Sequence, residues 1–535
     1  MSNEHWRPSA EYTKQELVLL KRLRRTKKLF GFLRDERGAL FDESFQVELD
    51  GMYRDTGAGK PALPPALLAM AVLLQAYAGV SDAEAVELTV VDLRWQMVLD
   101  RLGAAEPAFA QGTLQAFRER LIAADMDRRL LERTVEFARR SGAFDPRKLP
   151  KSLRVAMDSS PLEGGGRVED TINLLAHAAR KVVECAAELL KRPVERVARD
   201  AGIPLLCESS AKKALDVEWS DPTAKAEAIK EVARQIESLE AWVRTRLAVE
   251  MKEPPLKEHM DTLVQIRTQD LEPDPNGGGA RIRQGVAPER RVSVEDPDMR
   301  HGRKSKSKRF NGYKRHVATD LDTNLILACA VTPANRPEDE GAPLLKADID
   351  RQQRAIDKLY IDRGYIASSI VAQLIAAGGE VICKPWVPRN GGRISKADFK
   401  LNMRDRTITC PAGEVERFDL GADVEFNAAA CATCELRDQC TTAGPGIGRT
   451  VSIADDELLQ QRLRKQIATT RGRERLRERV AVEHSLAHLG RRQGRRARFH
   501  GTRKNLFDVR RAAAVQNLEN IHRRLEAPEQ IRRAA

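Results

Sequence analysis

The chain has 535 residues, of which 42% are hydrophobic and 5% aromatic, and a formal net charge of +13. This length exceeds one ordinary core, so we expect several domains, and eight cysteines in so long a chain exclude a disulfide-built scaffold. The charge is uneven: residues 462–535 hold 21 Lys and Arg against 7 Asp and Glu, a net +14, so the remainder sums to about −1. Concentrated positive charge favours a polyanionic partner, although a solvated basic surface explains any single run equally well.

The N-terminal part predicts no membrane association. The first residues are polar and resemble no secretory signal. The most apolar stretch, residues 66–80, is shorter than a spanning helix, contains Gln75 and follows Pro64-Pro65, which favours a buried helix. We therefore expect a cytoplasmic protein with no membrane partner.

The first half of the chain is predicted to be helical. Residues 1–60 form a basic N-terminal region. Residues 61–148 are expected to form a helical domain in which Ser81-Asp82-Ala83-Glu84 starts one helix as a capping box. A DNA-end-binding domain and a plain helical bundle fit this pattern equally well. Residues 163–298 carry apolar positions at helical spacing and predict a long, mainly helical insertion to which we assign no function.

Strand patterns appear on both sides of that insertion. The apolar run at residues 153–157 predicts a strand that ends at Asp158. Later come a hairpin turning at residues 320–323, a helix near 341–355, a strand ending at Asp362, a helix at 368–377 and a strand at 380–384. This order predicts an α/β fold with a mixed sheet covered by helices. Functional residues are expected at the carboxyl ends of its parallel strands, where we place Asp158 and Asp362.

Three acids can supply hard oxygen ligands for Mg²⁺ or Mn²⁺. Asp158 and Asp362 stand at predicted strand ends, and Gly364 is expected to permit a sharp turn that aims Asp362 outward. Glu483 lies in an arginine-rich helical stretch, on the same helical face as Arg479. A surface ion pair is the other reading of Glu483, and Glu478 is the alternative third acid.

A cysteine-rich insertion is predicted at residues 391–450. Cys431 and Cys434 have the CxxC spacing of structural zinc sites, and Cys410 and Cys440 would complete a set of four thiolates. Thiolates favour Zn²⁺ over Mg²⁺, so this would be a second, structural site. Four buried thiols without a metal are the alternative.

The ordered motifs resemble those of DDE-class transposases of bacterial insertion sequences, whose catalytic domain is similar to RNase H. The matching segments are Asp158-Ser159-Ser160 on the first strand, Gly312-Tyr313-Lys314-Arg315-His316 on the second, Asp362-Arg363-Gly364-Tyr365 at the second acid, and Arg479 with Glu483 in the third region. In that third region the chain departs from the family, because Leu476 replaces a tyrosine. Gly490 stands at a lysine position, beside Arg491 and Arg492.

The resemblance implies an RNase H-like mixed sheet flanked by helices, with core parts at 149–162 and 299–390 and a catalytic Glu helix and basic tail at 451–535. It implies Mg²⁺-dependent DNA cleavage and strand transfer by in-line phosphoryl transfer, by a nucleoid-associated homodimer or higher oligomer that binds the element's terminal inverted repeats and target DNA. Asp158, Asp362 and Glu483 would be the catalytic metal ligands. The DNA-contacting residues would be Lys314, Arg479, Arg491 and Arg492. Two alternatives stay open: a catalytically decayed DNA-binding zinc protein, and a nuclease that cuts without joining.

Overall fold

The N-terminal third of the protein is an assembly of helices. The computed structural model describes residues 4–23, 28–53, 62–145, 147, 149–275, 278–305 and 307–526. The first eight helices are α1 (Lys14–Arg22), α2 (Lys28–Leu40), α3 (Glu43–Asp50), α4 (Pro65–Ala78), α5 (Asp82–Val91), α6 (Leu93–Val98), α7 (Gln111–Ala123) and α8 (Met126–Arg140). The capping box predicted at α5 is confirmed, because the Ser81 hydroxyl accepts from the Glu84 amide and the Glu84 carboxylate accepts from the Ser81 amide.

Helix α4 is the buried apolar helix that the sequence predicts. Its residues from Pro65 to Ala76 are all buried, in the same apolar core as α2, α3 and α7. Among the described residues no single helix is long and apolar enough to cross a membrane. Helices α4 and α5 reach the length and apolar composition of a membrane span only when they are taken together, and the angle between them is 103°.

A long strand leads from these helices into a second helical assembly. Strand β1 (Leu153–Glu163) is followed by α9 (Thr171–Leu190), α10 (Val194–Asp200), α11 (Ala211–Ala214), α12 (Pro222–Arg246), α13 (Leu256–Asp270) and the hairpin strands β2 (Leu271–Pro273) and β3 (Ala280–Ile282). These elements pack around their own apolar core, in which α9 lies at the centre.

The central feature is a mixed sheet. Its further strands are β4 (Arg300–Arg303), β5 (Arg309–Asp320), β6 (Ile326–Pro333), β7 (Ile356–Tyr360) and β8 (Glu380–Ile382), with helices α14 (Gly341–Arg351) and α15 (Ser369–Ala376) between them. Strand β5 pairs antiparallel with β4, β6 and β1, whereas β1, β7 and β8 are parallel neighbours. The mixed α/β architecture predicted from the strand and helix pattern is confirmed, as is the hairpin between β5 and β6.

A small module interrupts the chain after β8. It contains β9 (Lys400–Asn402), β10 (Thr407–Thr409), β11 (Val415–Arg417), β12 (Asp423–Glu425), α16 (Ala428–Ala432), α17 (Arg437–Cys440) and β13 (Thr450–Ser452). A compact core of its own, which includes Phe399, Ile408 and Phe426, holds these short elements together.

Four helices form the C-terminal part of the described chain. They are α18 (Glu457–Ala468), α19 (Thr470–Glu478), α20 (Val480–Gln493) and α21 (Thr502–Glu526). Helix α20 packs on β1 and β5, and α21 packs on β6 and against α4 and α8. Helix α14 packs on β5 and β6, and α15 packs on β8. The C-terminal helices thus bring acidic and basic side chains to strands that are distant in sequence.

Candidate active site

The two predicted aspartates meet where the parallel pairing of β1 and β7 ends. Ala156 of β1 pairs with Tyr360 of β7, and Asp158 and Asp362 each stand two residues further along. Because side chains alternate along a strand, both carboxylates rise from the same face and at the same level. The register of one parallel pair therefore places two acids side by side.

Asp158 does not end its strand, as the sequence had suggested. Strand β1 runs on for five residues, because Ser159 to Glu163 pair antiparallel with Gly312 to His316 of β5. The polar residues after Asp158 carry no local strand signal, and only the distant partner strand holds them extended. Asp362, in contrast, follows the end of β7 as expected and caps the short helical turn Arg363–Tyr365.

Each aspartate is oriented by the next peptide in the chain. The Ser159 amide donates to Asp158 Oδ1 at 2.8 Å, and the Arg363 amide donates to Asp362 Oδ1 at 2.8 Å. Burial raises the pKa of Asp158 to about 6, and the neighbouring charges of Asp362 and Glu338 act in the same direction against Arg479. The site thus holds carboxylates close enough to disfavour one another's charge, an environment that a cation relieves.

Glu338 is a fourth acid at this edge, and the sequence analysis missed it. It lies in the short turn Glu338–Glu340 after β6, and its Oε1 accepts from the Ser159 hydroxyl at 2.8 Å. A Cβ at residue 364 would collide with the Glu338 carboxylate. Gly364 is therefore required for this close approach and not for the sharp turn that we expected. The sequence signal that could have identified Glu338 is the run of three consecutive acids, Glu338–Glu340, after a strand.

Arg479 links the aspartates to Glu483. The guanidinium of this residue, at the junction of α19 and α20, donates to Asp158 Oδ2 at 3.1 Å and to Glu483 Oε1 at 2.6 Å. The i, i+4 relation of Arg479 and Glu483 is as predicted. Glu478 faces other groups, since its carboxylate accepts from the Tyr360 hydroxyl at 2.9 Å and from Arg154. Of the two candidate third acids, Glu483 is the one tied to Asp158.

The donor set at this edge suits a hard divalent cation. Carboxylate oxygens are the preferred ligands of Mg²⁺ and Mn²⁺. As the side chains stand, the described residues contain no group of three or more His, Cys, Asp or Glu positioned to hold a metal ion. Arg479 lies between Asp158 and Glu483, and the Glu483 side chain is 48% exposed. A cation bridging these acids would therefore compete with the Arg479 guanidinium.

A buried arginine fills the space beside Gly490. A Cβ at residue 490 would lie 2.8 Å from the guanidinium of Arg315. That guanidinium donates to the Ser160 hydroxyl, Gln493 Oε1 and the Gly494 carbonyl, and burial lowers the pKa of Arg315 to about 10. The space that a side chain at position 490 would enter is thus filled from β5. Sequence order gave no sign of this pairing.

Lys314 does not reach the acids. Alternation along β5 puts it with His316 on the opposite face of the sheet from Asp158. Its ammonium donates to the Arg336 carbonyl at 2.6 Å. His316 is fully buried between the Tyr365 and Thr332 hydroxyls, and burial lowers its pKa to about 3. This face of the sheet is a packed interior on the side opposite to the Asp158 carboxylate.

Arg491 and Arg492 lie at the far end of α20, in a groove of about 850 Å³ between α4, α20 and α21. The Arg492 guanidinium already has partners within the protein, because it pairs with Glu519 at 2.7 Å and lies over the Tyr77 ring. Arg491 is exposed and donates to His488. Arg498 and Arg523 also line the groove, so its rim is basic.

Part of the basic C-terminal charge is structural. Arg510 of α21 is buried and pairs with Asp127 at 3.1 Å and with Asp348 at 2.9 Å. Arg511 is buried beside Asp508. These arginines are neutralised inside the protein, so the net charge of residues 462–535 overstates the charge that this segment offers to a ligand.

The four cysteines of the predicted zinc site line one small pocket of about 30 Å³. Burial raises the pKa of Cys440, and the nearby thiols of Cys431, Cys410 and Cys434 raise it further against Arg449. The pocket gathers the four residues although their sulfurs, as placed, do not form a metal-binding group. Cys185, Cys329 and Cys383 are buried apart from this pocket, whereas Cys207 is half-buried.

Two family models match the chain. A model described as Transposase DDE domain matches residues 284–518, and a model described as Transposase domain (DUF772) matches residues 22–120. The first match contains Asp362, Arg479 and Glu483, whereas β1 with Asp158 lies between the two matches. Comparisons with curated proteins and with solved structures returned no match.

Proposed function

The chain belongs to the DDE transposases of insertion sequences, and from that premise we propose that it cuts and joins DNA ends by Mg²⁺- or Mn²⁺-dependent in-line phosphoryl transfer. We further propose that its mixed sheet is an RNase H-like catalytic core. Asp158, Asp362 and Glu483 would be the metal ligands. The protein would act in the cytoplasm, on the nucleoid, as a homodimer or higher oligomer that holds paired terminal inverted repeats and target DNA.

One observation carries the assignment of the ligands. Asp158 and Asp362 lie at one level of the sheet, and Arg479 joins Asp158 to Glu483. These three acids lie 121 to 325 positions apart along the chain, a convergence that folding alone does not require. The raised pKa of Asp158, about 6, marks an environment in which a bound cation is favoured.

A divalent cation held at these carboxylates would act as a Lewis acid on the attacking and leaving oxygens of the phosphodiester. The residues of the chain do the rest. The Ser159 and Arg363 amides hold the aspartates in place. Arg479, displaced from the acids by the cation, would contact a DNA phosphate. Cleavage by water breaks the bond between phosphorus and the 3′ oxygen and frees a 3′-hydroxyl. That hydroxyl then attacks a phosphodiester of target DNA, where a new P–O bond forms as the bond to the target's own 3′ oxygen breaks and leaves a target 3′-hydroxyl.

The alternative of a decayed enzyme was motivated by the departures at Gly490 and Leu476. The guanidinium beside Gly490 belongs to Arg315, which is buried and bonded to protein groups, so it does not replace an exposed phosphate contact, and the cleavage assay below decides between the two readings. Lys314, Arg491 and Arg492 are weaker candidates for phosphate contacts. Of these three residues, we retain Arg491 as a proposed contact, because its side chain is exposed at the rim of a basic groove.

The assay uses duplex DNA that carries the inverted repeats flanking the coding region, with Mg²⁺. We expect Asp362→Asn to lower the rate of 3′-end cleavage by at least about 100-fold, the scale of losing one strong electrostatic contact to a transition state. Asp357→Asn, which changes an acid earlier on β7, is the matched control. Cleavage by Asp362→Asn at the parent's rate would refute the proposal. A parent that cleaves but never joins ends to a target plasmid would be a nuclease instead.

We also propose that Cys410, Cys431, Cys434 and Cys440 bind a structural Zn²⁺. Four thiolates are a standard tetrahedral zinc donor set, and these four share one pocket. A small shift of the short segments that carry them would be needed to bring the sulfurs together. The module has few apolar residues in its core, so a metal would add to its stability.

Metal analysis of the purified, reduced protein tests this proposal. We expect one zinc per chain, lost in Cys431→Ser/Cys434→Ser and retained in Cys207→Ser, a half-buried thiol of the helical insertion. A parent protein without stoichiometric zinc would overturn the assignment.

A further inference from the structure

The β4–β5 hairpin presents a cluster of free cations. Arg303, Lys304, Lys308 and Arg309 lie at its end and are all exposed. Within the described residues, their side chains form no hydrogen bond and no ion pair with the rest of the chain. The base of the hairpin is different, because Arg300 pairs with Glu289 and His301 bonds Asn311. Lys306 lies outside the described residues.

The hairpin projects from the edge of the sheet that carries the acids. Strand β5 is antiparallel to β1, and Val317 pairs with Asp158. From Val317 toward Arg309, β5 runs in the direction of the carboxyl end of β1 and continues beyond Glu163, which pairs with Gly312. Eight residues of extended chain span roughly 27 Å. The tip therefore lies roughly that far beyond the level of the aspartates.

Exposed cations without acidic partners suit a polyanion, whereas a protein surface would offer carboxylates in a specific pattern. Arg510 of α21 shows the contrast, since it is buried with acids on each side. Extended β-hairpins also fit along or into the grooves of a duplex. A sequence-independent contact with phosphates is the simplest use of such a tip.

We propose that the β4–β5 hairpin tip binds the phosphate backbone of duplex DNA about 8 bp from the phosphate held at Asp158 and Asp362. The spacing follows from roughly 27 Å of strand and a rise of about 3.4 Å per base pair. This inference rests on the proposed function for the location of the reacting phosphate. The hairpin tip would be a DNA-binding element separate from the acids of the active site.

The test measures duplex binding in EDTA, so that no cleavage occurs. The variant changes Arg303, Lys304, Lys308 and Arg309 to Gln. The control variant changes Lys191, Arg192, Arg196 and Arg199 to Gln, which removes the same charge from an exposed part of the helical insertion. DNA carrying the terminal repeat is offered with about 15 bp or only about 5 bp on each side of the cleavage position, lengths chosen against the estimate of 8 bp.

On the long duplex we expect the hairpin variant to lose affinity at least about 10-fold, and its salt slope to fall by about two to four units, since each phosphate contact contributes about 0.9. On the short duplex it should bind like the parent, and the control variant should match the parent on both. Duplexes shortened on one side only show whether element DNA or flanking DNA is contacted.

Equal affinity of parent and hairpin variant on the long duplex would overturn the inference, as would an equal loss on the short one. Thermal denaturation of both variants checks that they fold. This readout is independent of catalysis. If the parent binds through the tip but never cleaves, then the proposed function fails and the tip contact stands.

Discussion

Two clusters in this protein combine acidic side chains with arginines, but the two combinations serve opposite roles. In the interior cluster, Asp125, Asp127 and Asp348 surround Arg503 and Arg510, with side-chain exposures down to 1% at Asp127. At the acid edge, Asp158, Asp362, Glu338 and Glu483 lie together, and the ion pairs of the described residues there join Arg479 to Asp158 and to Glu483. The two clusters differ more in their ratio of acids to cations than in the burial of their side chains. A nearly balanced cluster ties α8, α14 and α21 together, whereas the acid-rich edge is left to attract a cation.

The difference in charge balance also limits what the net charge of a sequence segment can predict. Arg510 and Arg479 both belong to the basic C-terminal segment, yet only Arg479 stands near an excess of acid. Net charge per segment predicted a polyanionic partner without separating these roles. Asp158, Asp127 and Asp348, the distant partners of these arginines, lie more than a hundred residues away, so pairing inside the fold determines what an arginine can do.

The largest effect is expected in the balanced cluster. Arg510→Met removes the buried cation that joins Asp127 to Asp348 and leaves them only the more exposed Arg503 and Arg351, and removing one partner of a buried ion pair costs about 3–5 kcal/mol. Urea denaturation should show a markedly lower midpoint. An unchanged midpoint would mean that the cluster does not hold the helices to the sheet.

At the acid edge, removing a charge should stabilise the protein when no metal is present. The pKa of Asp158 is raised to about 6 from 3.8, so the folded state holds this proton more tightly than the unfolded state. The ionised carboxylate therefore costs stability above about pH 6, by up to about 3 kcal/mol at about 1.4 kcal/mol per pKa unit, and costs nothing below about pH 4.

Asp158→Asn should accordingly melt at a higher temperature than the parent at about pH 7.5 in EDTA, and the two should converge near pH 4. Asp200→Asn, at an exposed site in the insertion, is the matched control. A variant less stable than the parent at neutral pH would show that Asp158 is a structural acid like those of the interior cluster.

Two variants distinguish Glu483 from Glu478 as the third acid. Glu483→Gln is expected to lower DNA cleavage about 100-fold, or about 2.7 kcal/mol, because it removes a carboxylate tied through Arg479 to Asp158. The smallest effect is expected for Glu478→Gln, within a few-fold of the parent, since an amide oxygen can still accept from Tyr360. The reverse ranking would make Glu478 the third acid.

Local patterns in the sequence were sufficient for much of this account. The strand ending at Asp362, the hairpin turn at residues 320–323 and the capping box at Ser81 each depend on a few neighbouring residues. Asp158 was identified for a partly wrong reason, because its strand continues through pairing with β5. Such pairing joins residues more than 150 positions apart, and no local pattern encodes it.

Other features of the site depend on packing between distant elements. Gly364 is explained by the approach of Glu338 and Gly490 by the approach of Arg315. Glu338 itself could have been suspected from three acids that follow a strand, but its contact with Ser159 could not. The mixed sheet was predictable as a class of fold, whereas the charge balance at its edge was not.

The most direct test of the central claim is Mn²⁺ binding, measured by the loss of the free-ion electron paramagnetic resonance signal. We predict that the parent binds Mn²⁺ and that Asp158→Asn/Asp362→Asn loses this binding. Asp127→Asn/Asp348→Asn, the equivalent change in the balanced cluster, should retain it wherever the variant stays folded. Mn²⁺ binding that survives the loss of Asp158 and Asp362 would contradict the assignment of the acid edge as the cation site.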